Sequence, residues 1–356
     1  MTAVGIGMVG IGKFGSICLE AFAALPDVSI AALTDADPTR AATAAAAYQT
    51  TAYSSLDDLL RDPTVEIVAL ATPPHLHADA VRAALRAGKH VFCEPPLALT
   101  RAEAEAIRVE AERANRFVVV DYVLRHNPFW EAAVRLRRDG ILGDLLHIDI
   151  TNHTAGLELP PTHWFWDTAQ SGGIWIEHGI HFFDACAWIA GVPGSVAAAQ
   201  SFARADAVID GVEALAAFDT ISAHFYHNFI HDNSTQQTTV YMTFERGYVA
   251  LRDWMPTSIE IWASTTPAQT IPYLVGVTEA VDETSSGRLR HWISHAPEGS
   301  SILHRTAIQA GMRDLIGAVR AESGTVASTL RATTSEEIDS LRMALQAVER
   351  DVSIRA

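Results

Sequence analysis

The sequence is short of cysteine and has no long apolar run. Its three cysteines, Cys18, Cys93 and Cys186, form no CxxC pair, which argues against a disulfide framework and favours three reduced thiols in a cytoplasmic protein. No apolar run approaches the ~20 residues that a membrane helix needs. The amino terminus also lacks the basic start of a signal peptide, so we expect no membrane association.

Basic residues are also scarce. The chain carries 26 Lys and Arg residues against 42 Asp and Glu residues, a net charge of −16. Such a surface repels nucleic-acid phosphate, and we expect no nucleic-acid partner. The 356 residues, 49% of them hydrophobic, exceed one ordinary core and predict two domains.

Two overlapping G-x-G-x-x-G patterns occupy the stretch "VGIGMVGIGKFGS". The frame that begins at Gly5 has too few residues before it to form a central strand. The frame Gly10, Gly12 and Gly15 follows an apolar stretch and precedes the helical segment "SICLEAFAAL". A strand, a glycine turn and a helix together place phosphate at the helix amino terminus. We therefore predict dinucleotide binding at the second frame.

Asp35 follows the next apolar strand and stands 20 residues after Gly15. A carboxylate at this distance accepts hydrogen bonds from the adenosine ribose and repels a 2′-phosphate, which favours NAD over NADP. Two points remain open. Asp35 could cap the following helix, although Asp37 stands directly before Pro38, and Arg40 lies close enough in sequence to accommodate NADP.

The fold class follows from a change of rhythm along the chain. Apolar strands alternate with helices up to about residue 124, which predicts a parallel sheet and a Rossmann domain over residues 1–124. Polar–apolar alternation over residues 196–263 then predicts a mostly antiparallel sheet in an α+β domain over residues 125–356. Residues 274–300 are polar and irregular, and we predict a long loop there.

Five stretches in order resemble the glucose–fructose oxidoreductase, inositol dehydrogenase and rhizopine-catabolism (Gfo/Idh/MocA) family. They are "GMVGIGKFG", "LTDADP", "VALATPPHLHADAVRAALRAGKHVFCEPPLALT", "LRHNP" and "SGGIWIEHGIHFFD". The resemblance implies a second domain with an open sheet and a tightly held nicotinamide cofactor. It also implies a sugar or polyol substrate, and homodimers or homotetramers that pair through that sheet.

The resemblance also assigns the catalytic residues. In the family pattern G-G-x-x-x-D-x-G-x-H-x-x-D, the histidine that accepts the proton falls on His181 and the first acid on Glu177. Four residues apart on a helix, these two share a face, so Glu177 should orient the imidazole and raise its pKa. His178 and Asp184 are expected to contact substrate. Cofactor contacts are expected from Gly10, Gly12, Lys13, Phe14, Asp35, Thr72, Pro73, His77 and Glu94.

The largest departure from the family lies at "CEPP". The family usually has E-K-P, and its lysine faces substrate and nicotinamide; here Pro95 replaces it. Three consequences remain open: His181 acts alone beside another histidine, the substrate needs no lysine, or the usual turnover is lost. The Pro95–Pro96 peptide bond is a candidate for cis geometry.

Further residues carry two interpretations each. Arg125 suits a substrate oxygen or a salt bridge between domains, and His163 with Trp164 suits a pocket wall or aromatic core packing. Two groups suggest a metal site: Glu177, His178 and His181 in one, His224, His227 and His231 in the other. The first group follows a family frame without metal, and strand alternation separates the histidines of the second. We therefore predict no metal.

Three functions compete. The first is an NAD(P)-dependent oxidoreductase that transfers a hydride between the cofactor and a hydroxyl or keto carbon of a sugar- or cyclitol-like substrate. The second is an enzyme on the same fold that oxidises a sugar transiently, cleaves a glycoside or epimerises it, and recycles its NAD. The third is a non-catalytic NAD-binding protein, which only the loss of the lysine supports.

Overall fold

The computed structural model describes residues 3–203, 208–264, 271, 274, 277–284, 287–321 and 330–355. The chain divides into two compact units. The first unit comprises Met1–Val123, Asp167–Glu177 and Arg305–Leu341. The second comprises Leu124–Trp166, His178–His304 and Arg342–Ala356.

A six-stranded parallel sheet forms the centre of the first unit. Its strands are β1 (Val4–Val9), β2 (Val28–Thr34), β3 (Thr51–Ala52), β4 (Ile67–Leu70), β5 (His90–Cys93) and β6 (Val118–Val120). The helices up to residue 123 are α1 (Lys13–Ala23), α2 (Pro38–Tyr48), α3 (Leu56–Arg61), α4 (His77–Arg86) and α5 (Arg101–Ala114). The strand order β3-β2-β1-β4-β5-β6, with every pair parallel, confirms the predicted Rossmann-type sheet. Every residue of β1 is buried, as helices on both faces require.

Capping side chains fix the first residues of α2 and α5 at the positions that the sequence predicts. Asp37 Oδ1 accepts hydrogen bonds from the backbone N–H groups of Thr39 at 2.9 Å and Arg40 at 3.3 Å, so Asp37, not Asp35, caps α2. Thr100 and Glu103 form the predicted capping box at α5. Each cap satisfies backbone donors that a helix leaves free in its first turn.

The second unit contains a ten-stranded sheet. Its strands are β7 (Leu145–His153), β8 (Ser195–Ala203), β9 (Ile209–Phe218), β10 (Ile221–Asn228), β11 (Gln237–Phe244), β12 (Gly247–Arg252), β13 (Ser258–Ser264), β14 (Val277–Thr284), β15 (Gly287–His295) and β16 (Asp351–Arg355). The helices after residue 124 are α6 (Pro128–Arg138), α7 (Thr168–Ser171), α8 (Ile180–Ala190), α9 (Ser300–Arg320) and α10 (Thr334–Glu349). The order is β14-β15-β13-β12-β11-β7-β10-β9-β8-β16. Only β7–β10 and β8–β16 pair in parallel, so the predicted mostly antiparallel sheet is confirmed.

One face of this sheet forms the core of the second unit. Ile148 and Ile150 of β7, Phe225 of β10 and Met242 of β11 are fully buried and alternate with more exposed residues along their strands. Phe183 of α8 packs edge-on against Phe225, with ring centroids 4.8 Å apart. The alternation with period two therefore marks the buried face that the sequence predicts.

Within the described residues, the loop predicted over residues 274–300 is wrong; residues 275–276 and 285–286 lie outside them. Strands β14 and β15 pair there in antiparallel register, and β15 also pairs with β13. The side chains of residues 277–281 are all exposed, so this described part of β14 has no buried face to produce an alternating pattern. Strand β16 was also not predicted. Edge strands are held by backbone hydrogen bonds on one side, which residue patterns do not report.

The segments Asp167–Glu177 and Arg305–Leu341 belong to the first unit, although the sequence predicts that they lie in the second domain. Gln309 Nε2 donates to the Ala21 carbonyl oxygen at 3.0 Å, and Arg320 pairs with Asp27 at 2.6 Å. Further on, Glu337 is fully buried and accepts a hydrogen bond from the Leu97 N–H at 2.7 Å. These contacts join residues more than 200 positions apart, beyond the reach of local pattern.

Neither a membrane-spanning helix nor a disulfide occurs among the described residues. None of the described helices is both long and apolar enough to cross a bilayer. Cys18, Cys93 and Cys186 are free thiols, and all three are buried.

We expect Glu337→Ala to lower the free energy of unfolding by about 2–4 kcal/mol, because it leaves the buried Leu97 N–H and Tyr122 hydroxyl without their acceptor. Glu337 accepts from both groups. Denaturant unfolding would measure the change. Glu349→Ala on the exposed end of the same helix serves as the control. A loss no larger than that of the control would contradict the expectation.

Candidate active site

The glycine turn between β1 and α1 fits a pyrophosphate. Gly10 has φ +85°, and a Cβ there would lie 2.6 Å from the Ala71 carbonyl oxygen. A Cβ on Gly15 would overlap the carbonyl oxygen of Gly10, whereas a Cβ on Gly12 would meet nothing within 4 Å. The first and third glycines thus close the turn, and the second leaves open space at the amino terminus of α1. Lys13 is exposed and Phe14 half-buried at this terminus.

Asp35 at the end of β2 is held by the protein itself. Its Oδ2 accepts from the Ile11 N–H at 2.6 Å, and its Oδ1 accepts from the Asp37 N–H at 2.8 Å and from Arg40 Nη1 at 2.9 Å. A carboxylate offers about four lone-pair positions, so about one remains for a ribose hydroxyl. Arg40, half-exposed beside it, offers a cation for a 2′-phosphate. The end of β2 therefore carries a carboxylate suited to NAD and a guanidinium suited to NADP.

The turn after β4 contains three residues expected to contact the cofactor. His77 is 1% exposed, and its Nδ1 and Nε2 lie 2.7 Å from the carbonyl oxygens of Pro96 and Thr72. Its ring therefore joins this turn to the "EPP" turn, with no nitrogen left over for a cofactor. Within the described residues, Thr72 Oγ1 is enclosed without a hydrogen-bond partner, as a ligand-binding hydroxyl would be. Pro73 is half-buried beside it.

Three acidic residues of the first unit, Glu94, Asp121 and Glu177, form what we call the acid cluster. Glu94 follows β5 and Asp121 follows β6, and the Asp121 N–H donates to the Cys93 carbonyl oxygen at 2.8 Å. Asp121 is 2% exposed. Both of its carboxylate oxygens, and Oε2 of Glu94, are enclosed without a hydrogen-bond partner in the described chain.

Burial keeps the acid cluster from ionising fully. It raises the pKa of Asp121 to about 8 and that of Glu177 to about 7. Burial, then the carboxylates of Asp121 and Glu177, raise the pKa of Glu94 well above its usual range. No Lys, Arg or His in the described ranges pairs with these acids. The Pro95–Pro96 bond is cis, and Pro95 supplies no charge where the family pattern has lysine.

The sequence reasoning named Glu94 and Glu177 but missed Asp121. Its signal was present: "HVFCE" and "VVVD" each end a buried strand with an acid. Neighbouring parallel strands bring their carboxyl ends to one edge of a sheet. Pairing of β5 with β6 therefore places Glu94 and Asp121 close together.

The helical segment that carries Glu177 and His181 is not one regular α-helix. Trp175–Gly179 forms a π-helical turn before α8, so the four-residue spacing no longer implies a shared face. Burial, then His178 and His304, lower the pKa of His181 to about 3. The expectation that Glu177 raises the pKa of His181 is therefore wrong, because enclosure of the imidazole dominates.

His178 and His181 both contact an indole that sequence reasoning missed. His178 stacks on Trp254 with centroids 5.2 Å apart, and His181 meets Trp254 edge-on at 5.1 Å. Trp254 stands alone in a turn after β12, where no motif marks it. Asn152, also missed, lies 2.8 Å from His178 Nε2 through its Oδ1 and donates to Thr238 Oγ1 at 2.7 Å.

The Asn152 contact fixes the protonation of His178. Because the Asn152 amide nitrogen donates to Thr238, its oxygen accepts, and Nε2 of His178 is the nitrogen that carries the proton. Nδ1 is then an acceptor. Burial lowers the pKa of His178 to about 4, so both imidazoles are neutral at pH 7 and can accept hydrogen bonds from a substrate hydroxyl.

Arg125 and Asp184 bind each other. Arg125 Nε lies 2.7 Å from Asp184 Oδ2, and Nη2 lies 2.8 Å from Oδ1. Both side chains are buried, and both belong to the second unit. The salt bridge suggested for Arg125 therefore forms within one unit and not between domains. It anchors α8, the helix of His181.

The aromatic segment before α7 divides between the two interpretations. Phe165 is 6% exposed and packs on Phe229 with centroids 4.8 Å apart, so it belongs to the core. His163 and Trp164 are half-buried, with centroids 5.1 Å apart. Their remaining surface is available to a ligand.

The histidines of β10 and the turn after it do not converge. His224 lies 2.8 Å from both Asp149 and Glu213, His227 packs on Phe182 at 5.0 Å, and His231 is next to His153 at 4.9 Å. Across the described ranges, no group of three or more His, Cys, Asp or Glu side chains could hold a metal ion.

Comparisons with known proteins cover both units. The family model described as "Oxidoreductase family, NAD-binding Rossmann fold" matches residues 4–122. The one described as "GFO/IDH/MocA C-terminal domain" matches residues 130–248. Inositol 2-dehydrogenase of Rhizobium meliloti (strain 1021) is 27% identical over 268 residues, 72% of this chain and 78% of that protein. Other curated relatives match over only 42% to 58% of their own length.

Solved structures share the whole fold. Levoglucosan dehydrogenase in complex with NADH and L-sorbose has a TM-score of 0.81 at 18% identity, covering 98% of this chain and 97% of that chain. KijD10, a 3-ketoreductase from Actinomadura kijaniata in complex with NADP and TDP-benzene, has a TM-score of 0.79 at 15% identity, covering 100% of both chains. Identities this low establish the fold and leave substrate and coenzyme to the site.

We expect Asp121→Asn to remove a loss of stability that occurs as the pH rises from about 4 to about 8. Asp121 holds a proton in the folded protein up to about pH 8, whereas in the unfolded chain it releases it near pH 4. One such group costs about 1.4 kcal/mol of unfolding free energy per pH unit as the pH rises between these values.

Denaturant unfolding from about pH 5 to about pH 8 would measure this difference between Asp121→Asn and the unchanged protein. Exposed Asp57→Asn serves as the control and should leave the slope unchanged. A difference that stays constant with pH would show that Asp121 is ionised in the folded state.

Proposed function

Because this chain belongs to the Gfo/Idh/MocA family of oxidoreductases, we propose that it transfers a hydride between a nicotinamide coenzyme and a hydroxyl or keto carbon of a sugar- or cyclitol-like substrate. The observation that carries this proposal is the turn at Gly10, Gly12 and Gly15. It closes tightly at two positions and leaves open space at the third, as a bound pyrophosphate requires. The names of similar proteins, inositol 2-dehydrogenase and levoglucosan dehydrogenase, support the substrate class.

NAD is the preferred coenzyme in this proposal, and NADP the less favoured one. Gly10, Gly12 and Thr72 would hold its phosphates and ribose, with the start of α1 at Lys13 beside the pyrophosphate. The remaining lone pair of Asp35 supports NAD, although Arg40 next to it could receive a 2′-phosphate. When bound, the coenzyme supplies the hydride chemistry, and the side chains supply position and proton transfer.

His181 is the proton acceptor in this proposal. Its neutral imidazole takes the hydroxyl proton as the substrate carbon loses hydride, and it returns the proton in the reverse direction. Nδ1 of His178 accepts a hydrogen bond from the substrate and so orients it. His163 and Trp164 contribute a partly exposed polar and aromatic surface that suits a sugar ring.

In this proposal, Arg125 and Asp184 position α8 and do not contact the substrate, in contrast to what the family resemblance implies. Their paired geometry, with both side chains buried, supports a positioning role, in which the salt bridge fixes α8 and through it His181. A bidentate guanidinium–carboxylate pair sets direction as well as distance. In this proposal they hold the site and leave substrate contact to the histidines.

We also propose that the protein forms a homodimer or homotetramer through the second sheet. The strand positions that alternate with the buried core carry exposed apolar side chains, including Leu215, Tyr241 and Tyr248 at 52%, 39% and 39% exposure. Tyr241 and Tyr248 lie on the neighbouring strands β11 and β12, and Leu215 lies on β9 of the same sheet. A second copy would cover these exposed apolar side chains.

Leu215→Glu should shift the protein toward monomer, because it places a charge among these apolar side chains. Light scattering coupled to size-exclusion chromatography measures the mass. Val109→Glu alters an equally exposed apolar residue, 50% exposed on α5 of the first unit, and should leave the mass unchanged. A monomeric unchanged protein would refute the proposed assembly.

We expect His181→Asn to lower kcat for polyol oxidation by about 10²–10⁴ while leaving NAD binding unchanged, because it removes only the proton acceptor. NADH absorbance with a panel of sugars, cyclitols and their glycosides measures turnover. Exposed His75→Asn is the control.

Two results would count against this proposal. Failure of the unchanged protein to form NADH with every substrate would contradict it. Release of an aglycone without accumulation of NADH would point to the cofactor-recycling reaction instead.

A further inference from the structure

Among the described residues, no Lys, Arg or His side chain pairs with the acid cluster. An enclosed carboxyl group with neither hydrogen bond nor counter-charge is costly to keep, and proteins rarely retain one without use. Asp121 has two such oxygens and Glu94 has one in the described chain, and Pro95 removes the one cation that the family pattern would supply. The missing positive charge must then come from a proton or from a ligand.

The strand order indicates which ligand reaches the cluster. In a doubly wound sheet a dinucleotide lies across the carboxyl ends of the strands where their order reverses, which here is the boundary of β1 and β4. Asp35 at the end of β2 marks the adenosine side. A bound nicotinamide half would therefore extend toward β4, β5 and β6, whose ends carry Thr72, Glu94 and Asp121.

The two redox forms of this ring differ in charge. The oxidised nicotinamide is a cation, and the reduced ring is neutral. A lysine beside the ring would oppose the cation, whereas carboxylates attract it. We propose that the acid cluster makes this protein bind the oxidised nicotinamide coenzyme more tightly than the reduced one. This rests on the proposed function only in that a nicotinamide coenzyme must bind.

Proton release follows from the same arrangement. Without coenzyme, burial keeps the pKa of Asp121 at about 8 and that of Glu177 at about 7, so the cluster holds protons at neutral pH. An arriving cation lowers these pKa values and expels protons. Affinity for the oxidised coenzyme should therefore rise between pH 6 and pH 8, and affinity for the reduced coenzyme should not.

Burial shifts the pKa of two thiols and one imidazole near the cluster away from neutrality. Burial raises the pKa of the Cys18 and Cys93 thiols well above their usual value, and burial lowers that of His77. Glu337, which influences Cys93, is held by hydrogen bonds from Leu97 and Tyr122. The proton change on binding thus reports the acid cluster.

Tighter binding of the oxidised coenzyme affects the direction of hydride transfer. Each tenfold excess of affinity for the oxidised form lowers the potential of the bound two-electron couple by about 30 mV. The bound reduced coenzyme becomes a stronger hydride donor. The acid cluster therefore favours reduction of a keto carbon over oxidation of the hydroxyl.

Equilibrium binding of NAD+ and NADH tests this at pH 6 and pH 8, without any substrate. In the unchanged protein we expect NAD+ to bind more tightly at pH 8, by about tenfold. Asp121→Asn and Glu94→Gln should each weaken NAD+ binding by about that factor and leave NADH binding unchanged. Asp57→Asn, an exposed acid with the same charge change, should match the unchanged protein.

A second measurement needs no variant. Calorimetry in two buffers of different ionisation enthalpy counts the protons released, and we expect release with NAD+ but none with NADH. Equal affinities with no proton release would overturn this inference and leave the proposed function standing. Failure of both coenzymes to bind would overturn the two together.

Discussion

Removal of water from ionisable groups is the constraint that sets the charge state of the candidate residues in each unit. Burial disfavours whichever form of a group is charged, so it acts in opposite directions on acids and imidazoles. It raises the pKa of Asp121 to about 8 and lowers that of His181 to about 3. Burial therefore favours neutral acids in the first unit and neutral imidazoles in the second, and the charge of each group depends on what binds.

Local pattern predicted much of the fold because local physics determines it. Apolar strands, a glycine turn and capping residues such as Asp37 and Thr100 each act within a few residues, and each was found where expected. Elements held by distant partners were not predictable in this way. Strand β14 depends on backbone bonds to β15, and Glu337 on Leu97, and neither leaves a periodic trace in sequence.

The site was predictable in its residue types and less so in its electrostatics. Family motifs placed Asp35 and Thr72 at strand ends and His181 on a helix, as the structure has them. They could not reveal that Trp254 contacts both histidines or that Glu177 lies in a π-helical turn before α8. A pKa is set by everything around a group in space, so a motif that fixes identity and spacing leaves its direction undetermined.

The presence of Pro95 where the family pattern has lysine affects the protonation of neighbouring acids. An ammonium beside two buried carboxyl groups would ionise them and satisfy their oxygens, at the cost of its own desolvation. Proline offers neither charge nor donor, so Glu94 and Asp121 keep protons that lysine would have displaced. The substitution thus changes the charge state of residues that are themselves unaltered. The lost ammonium would have faced the substrate and balanced the charge of Glu94 and Asp121. Without it, a bound cation such as the oxidised nicotinamide can take over that balance.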